Sequence, residues 1–134
     1  DLQRFARRYQ VPMRFNPHFP LNTLLLMRVA TGLQLRQPER FEHFVATVFR
    51  AIWVDALNLG DMNVLAEVLG RAGFDPQALQ ALAGEQEVKD RLKATTEEAV
   101  SRGVFGAPCM FVGDELFFGQ DRLDFVREAL LAAG

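Results

Sequence analysis

Two short stretches near the end of the chain combine residue types able to hold a small polar ligand. Ala107-Pro108 is the first. A residue before proline is held extended, and an extended backbone can offer its N–H and C=O to a bound peptide as an added strand. The plainer reading is a turn proline opening a strand, and by spacing alone it is the stronger of the two. Gly119-Gln120-Asp121-Arg122 is the second. A helix beginning there would present unpaired N–H groups and partial positive charge, which suits a carboxylate. Asp121 beside it suits an ammonium. Asp121 also reads simply as an N-cap contributing about 1 kcal/mol, and one carboxylate with two oxygens can serve both purposes.

Other reactive residues are fewer. Cys109 is the only cysteine. It is a candidate redox or nucleophilic thiol, but a small core residue is the stronger reading. His18 lies in a proline-rich loop with Asn16, and His43 lies on the expected outer face of a helix. No third ligand stands at metal spacing, so no metal site is expected. His18 reads as a loop residue before it reads as an acid or base. Phe15, Phe19 and Phe105 fall on loops, where they could line an apolar pocket for a flat aromatic molecule. Phe41, Phe44 and Phe49 read as core.

These residues depend on the elements that carry them. Gly103 can close a helix in the left-handed conformation. Pro108, suited to a cis bond, opens a strand. Cys109 to Val112 and Glu115 to Phe118 are short apolar runs, and Gly113-Asp114 between them predicts a two-residue hairpin of type II′. A last helix, Arg122 to Ala133, follows with Asp121 as its cap and Leu123, Val126 and Leu130 on its buried face. Upstream the pattern is helical. Asp1 to Tyr9 reads as the tail of an amphipathic helix. Pro12, Pro17 and Pro20 make Val11 to Pro20 a loop of fixed local geometry. Leu24 to about Leu35 is apolar on several sides, and Asn22 or Thr23 can cap it. Pro38 opens the next helix, whose Phe41, Phe44, Val45, Val48, Phe49, Ile52 and Ala56 follow the i, i+3, i+4 rhythm. Asp61 and Asp75-Pro76 start two further helices. Glu85 to Arg102 is a long polar helix with a thin stripe of Val88, Leu92, Thr95 and Ala99. The organisation expected is a mainly helical part, 1–102, followed by a hairpin and helix, 103–134.

Composition narrows the class. The chain has 134 residues, is 49% hydrophobic and carries a net charge of −2. That suits a globular unit with a real core, and the mixed charge argues against a nucleic-acid partner. No run of 18 apolar residues predicts a membrane span. A single cysteine precludes an internal disulfide and favours a reducing, cytoplasmic setting. Twelve Phe against one Tyr and one Trp points to a dry, aromatic-rich core or pocket.

The wording Gly103-Val104-Phe105-Gly106-Ala107-Pro108, followed by Leu116-Phe117-Phe118-Gly119-Gln120-Asp121-Arg122-Leu123, resembles the 2-hydroxychromene-2-carboxylate isomerases. These are relatives of kappa-class glutathione transferases and DsbA-like oxidoreductases. Asn16 to Thr23 and Phe49 to Val54 look like that family's helical insertion. The resemblance runs over essentially the whole chain and the later part of the family's. It implies an α/β fold of the thioredoxin type with an inserted all-helical domain. It implies a cytoplasmic enzyme of aromatic-ring catabolism that uses glutathione as cofactor. Glutathione would lie along Ala107 and Pro108, with its γ-glutamyl end at Gly119, Gln120, Asp121 and Arg122. Asn16, His18, Phe19 and Phe105 would border the pocket of a small aromatic substrate. In the family a serine near the first strand holds the glutathione thiolate, which adds reversibly to the substrate so that a ring-opened bond can rotate. That serine would precede Asp1, and Ser101, the only serine here, is no candidate. A missing N-terminal segment, or a second chain such as a homodimer partner, is expected against the hairpin. Three alternatives stay open. A kappa-class-like transferase would share the site. A DsbA-like exchanger needs a Cys-x-x-Cys that this chain lacks. A non-catalytic helical module would need no upstream strand.

Overall fold

The computed structural model describes residues 1–134 in two compact units, 1–92 and 93–134. The boundary falls inside a helix, ten residues before Gly103. The first unit holds α1 (Leu2–Arg8), α2 (Leu24–Arg36), a 3₁₀ turn (Pro38–Arg40), α3 (Phe41–Trp53), α4 (Met62–Arg71) and α5 (Pro76–Gly84). Helix α6 (Gln86–Ser101) begins in it and continues into the second unit, which adds β1 (Cys109–Val112), β2 (Glu115–Phe118) and α7 (Leu123–Ala133).

The helix starts follow the capping chemistry. Asp61 accepts from Asn63 N–H at 2.8 Å and Asp75 from Gln77 N–H at 3.0 Å, so α4 and α5 begin where the carboxylates stand. Asn22, not Thr23, supplies the side-chain acceptor for Leu24 N–H. Helix α2 packs on α3 and α5, and α4 on both of those. Between them lies a continuous core that includes Leu26, Leu33, Phe44, Ile52, Leu65 and Val88. Each such side chain stabilises the fold by about 1.5–3 kcal/mol relative to exposure. Gly32 lets α2 approach α5: a Cβ there would stand 2.6 Å from Leu82 Cγ.

The Pro-rich loop has a structural task that its sequence does not announce. The last carbonyls of a helix have no intrahelical donor. Arg14 N–H donates to Trp53 O at 2.6 Å, and Asn16 Nδ2 donates to Ile52 O at 3.0 Å and Leu57 O at 2.8 Å. The loop therefore closes the end of α3. Ala56, expected to extend α3, instead takes φ 55° just past it, with Leu57 N–H bonded back to Ala51 O at 2.8 Å. That is the left-handed closure more often given to glycine.

In the second unit β1 and β2 pair antiparallel, Cys109 opposite Phe118 and Val112 opposite Glu115. Gly113 has φ 59° and Asp114 does not share the positive φ, as a type II′ turn requires. Helix α7 packs on β1. Three expectations of burial fail. Leu123 and Leu130 are exposed and Val126 is half-buried, because a two-strand sheet covers little of α7. Of the α6 stripe only Val88 is buried, and Thr95 is exposed. Phe49 is 62% exposed rather than core. No helix is long and apolar enough to cross a membrane.

Candidate functional site

The second unit gathers the two stretches that the sequence singled out. The Ala107–Pro108 bond is cis and β1 follows at once. Gly119, just after β2, donates its N–H to Pro108 O at 2.9 Å. That bond ties the proline loop to the Gly119–Arg122 turn. Ala107 is exposed, and neither its N–H nor its C=O is bonded within the chain.

Gln120–Arg122 forms a 3₁₀ turn, and α7 starts only at Leu123. Asp121 is therefore not the cap of the last helix, contrary to expectation. Its carboxylate has turned back and sideways. Oδ2 accepts from Arg122 at 3.1 Å, and Oδ1 lies over Gly119, only 2.6 Å from where a Cβ on that residue would stand. With φ 105° as well, Gly119 is a position for glycine alone. The first bond closing the turn runs from Arg122 N–H to Gly119 O, so the N–H groups of Gln120 and Asp121 precede it. The result is a small surface with backbone donors, one carboxylate and one guanidinium, about half exposed. Such a surface suits a ligand end carrying both signs of charge.

Phe105 leans on Phe118, centroids 4.7 Å apart. Phe118 also covers Gly106, where a Cβ would come within 2.8 Å of its ring. Cys109 is half-buried and free. Ser101 Oγ donates to Glu98 O within its own helix.

In the first unit the loop residues separate. Asn16 is fully buried, its amide hydrogens go to Ile52 O in the last turn of α3 and to Leu57 O just past it, and Oδ1 accepts from His18 N–H at 2.8 Å. It stands inside the loop rather than at a pocket wall. The His18 ring is exposed. Phe19 does reach a cavity: it packs on Trp53, centroids 5.8 Å apart, with Phe15 edge-on to both. The cavity, about 330 Å³, lies between α2 and α3 with Met27, Phe49 and Trp53 among its walls. Sequence reasoning missed these three. One signal was available: at 100° per residue Phe49 falls at the edge of α3's apolar arc rather than its centre. His43 is tied down, its ring stacked on Phe74 with Nε2 donating to Ala72 O at 2.8 Å. No group of three His, Cys, Asp or Glu side chains could hold a metal ion.

Comparison with known proteins agrees with this architecture. The model of the DSBA-like thioredoxin domain matches residues 1–131. A 2-hydroxychromene-2-carboxylate isomerase of Sphingobium xenophagum is 37% identical over 98% of this chain and 65% of its own length. Glutathione S-transferase kappa 1 of Homo sapiens is 25% identical over 97% of this chain and 63% of its own. A solved 2-hydroxychromene-2-carboxylate isomerase superposes with a TM-score of 0.78 at 28% identity, covering 99% of this chain and 64% of that one. The chain thus spans a little under two thirds of the length of these relatives. The hairpin, the loop before it and the helices upstream are a thioredoxin-type arrangement, and the chain belongs to the DSBA-like thioredoxin-domain family.

Proposed function

We propose that this protein is a cytoplasmic, glutathione-dependent isomerase acting on a small aromatic substrate of the 2-hydroxychromene-2-carboxylate type. The observation that carries the reading is the Gly119 N–H to Pro108 O bond, which makes one surface of the proline loop and the charged turn. Glutathione, a short peptide with a zwitterionic γ-glutamyl end, fits the residues present. Ala107 offers an unpaired backbone N–H and C=O to its peptide portion. The N–H groups of Gln120 and Asp121, with the Arg122 guanidinium, face its carboxylate, and Asp121 faces its ammonium. Bound glutathione supplies a thiol nucleophile. The chain's own residues orient it, and Gly119 keeps the Asp121 carboxylate folded toward the turn. The first unit stands as the inserted helical domain and the second as the closing part of the thioredoxin fold. The open edges of its two strands call for further strands or a second copy.

Asp121→Asn preserves shape and an acceptor for Arg122 but removes the charge. A hydrogen bond to a charged group contributes about 1.5–3 kcal/mol, so glutathione affinity should fall about tenfold to a hundredfold. The melting temperature should hold, since Asp121 caps no helix. Titration calorimetry of both proteins checks this, and equal affinities would remove Asp121 from the site. The kappa-class relatives support a second reading, a glutathione transferase using the same surface. Assays for isomerisation and for conjugation, each with glutathione withheld as control, separate the two.

A further inference from the structure

The loop that carries Pro108, residues 104–108, has little local reason to keep one shape. Gly103 precedes it and Gly106 lies within it, and glycine loses more conformational freedom on folding than any other residue. Three contacts inside the second unit nevertheless fix it. Val104 N–H donates to Ala99 O at 3.0 Å, which ties its start to the end of α6. Gly119 N–H donates to Pro108 O at 2.9 Å, which ties its finish to the turn after β2. Between them stands the Phe118 ring. Phe118 pairs with Cys109, so it lies directly across from the point where the loop enters β1. The ring centroid is 4.7 Å from that of Phe105. The ring edge fills the space beside Gly106: a Cβ there would stand 2.8 Å from one ring carbon and 3.3 Å from the next. Two consecutive loop residues therefore rest on one side chain. Ala107, the next residue, is exposed, with its N–H and C=O unbonded within the chain. Phe118 is 43% exposed and no part of the buried core, so trimming its ring opens no internal cavity.

We propose that Phe118 is a positioning residue: its ring holds Phe105 and Gly106 so that the Ala107 backbone stands in one conformation, open to a peptide-like ligand. Gly106 is the other half of the device, since only a residue without a Cβ lets the ring come this close. The ring acts through the loop rather than on the ligand. Affinity rises because the loop need not be ordered at the moment of binding. The role goes beyond the proposed function, and only the choice of glutathione as probe rests on that reading.

Phe118→Leu keeps an apolar side chain on β2 and removes the ring. In the ligand-free intact protein, NMR relaxation should show the Ala107 backbone order parameter falling from about 0.85 towards 0.6, while that of Val126 on α7 holds. Glutathione affinity, measured by calorimetry, should fall about threefold to tenfold. Phe118→Tyr keeps the ring, at a position open enough for the hydroxyl, and should behave as the unaltered protein in both measurements. Gly106→Ala drives a Cβ against the ring and should weaken binding on its own, but by a smaller factor in the Phe118→Leu background, where the ring is gone. A merely structural role for Phe118 would lower the melting temperature and leave the Ala107 order parameter and this coupling unmoved. Unchanged Ala107 order or unchanged glutathione affinity in Phe118→Leu, or additive losses in the double variant, would each overturn the proposal. A protein that binds no glutathione, yet whose Ala107 loosens in Phe118→Leu, would refute the glutathione reading and support the positioning role.

Discussion

Asn16 shows how much one buried amide can organise. Its side chain donates to the carbonyls of Ile52 and Leu57 and accepts from His18 N–H, with no exposure to solvent. Asn16→Ala removes all three bonds and leaves two carbonyls without those donors. Each stranded buried group costs about 1–3 kcal/mol, so we expect a loss of roughly 2–4 kcal/mol in stability. Denaturant unfolding monitored through Trp53 measures it. A change below the scatter of surface substitutions would mean water replaces the amide. Arg36 presents a different kind of tie. It bonds Glu85 and Glu87, and Glu85 first, then Glu87, raises its already high pKa. The guanidinium therefore stays charged at every working pH.

At the scale of elements, two glycines on helices should respond oppositely to alanine. Gly32 on α2 faces α5, where a new Cβ would stand 2.6 Å from Leu82 Cγ and 2.9 Å from one Leu82 methyl. Leu82 is itself buried, so its branch point has little room to retreat. Overpacking costs typically about 1–3 kcal/mol, against a helix-propensity gain of about 1 kcal/mol. Gly32→Ala should therefore destabilise, and because Leu82→Ala removes the clashing group, the double variant should lose less stability than the sum of the two single losses. Gly70 on α4 is exposed, with nothing within 4 Å of its would-be Cβ. Gly70→Ala should stabilise by about 0.5 kcal/mol, less than mid-helix because it lies near the end. Thermal unfolding of the three variants gives the signs directly. Equal signs for Gly32→Ala and Gly70→Ala would mean that α2 and α5 are not held as closely as described.

Across the whole molecule stability is unevenly spread. Every fully buried hydrophobic side chain lies at or before Val88, while the strands and α7 bury none. Native-state hydrogen exchange should accordingly find the slowest amides in α2 and α3, and faster exchange in β1, β2 and α7. The reverse order would mean that the second unit has contacts the chain does not show. The same division explains what could be read from the residues in order. Local chemistry was legible: the Asp61 and Asp75 caps, the turn at Gly113, the periodicity of α3, and the wording around Pro108 and Gly119 that marks the family. All of these are set by residues within one or two turns of each other. What needed the tertiary structure was every property that depends on a distant partner. Asp121 looked like a cap because a carboxylate before a helix usually is one, yet Arg122 and the space over Gly119 draw it aside into a 3₁₀ turn. Phe49 stands at the edge of the apolar stripe that holds Phe44, and the positions of α2 and the Pro-rich loop decide that Phe44 is core and Phe49 a cavity rim. Asn16 looked like a loop residue beside a pocket until the carbonyls at the end of α3, some forty residues on, took up its hydrogens. Hydrogen bonds and packing reward proximity in space, and sequence spacing predicts that proximity only where the chain between is short.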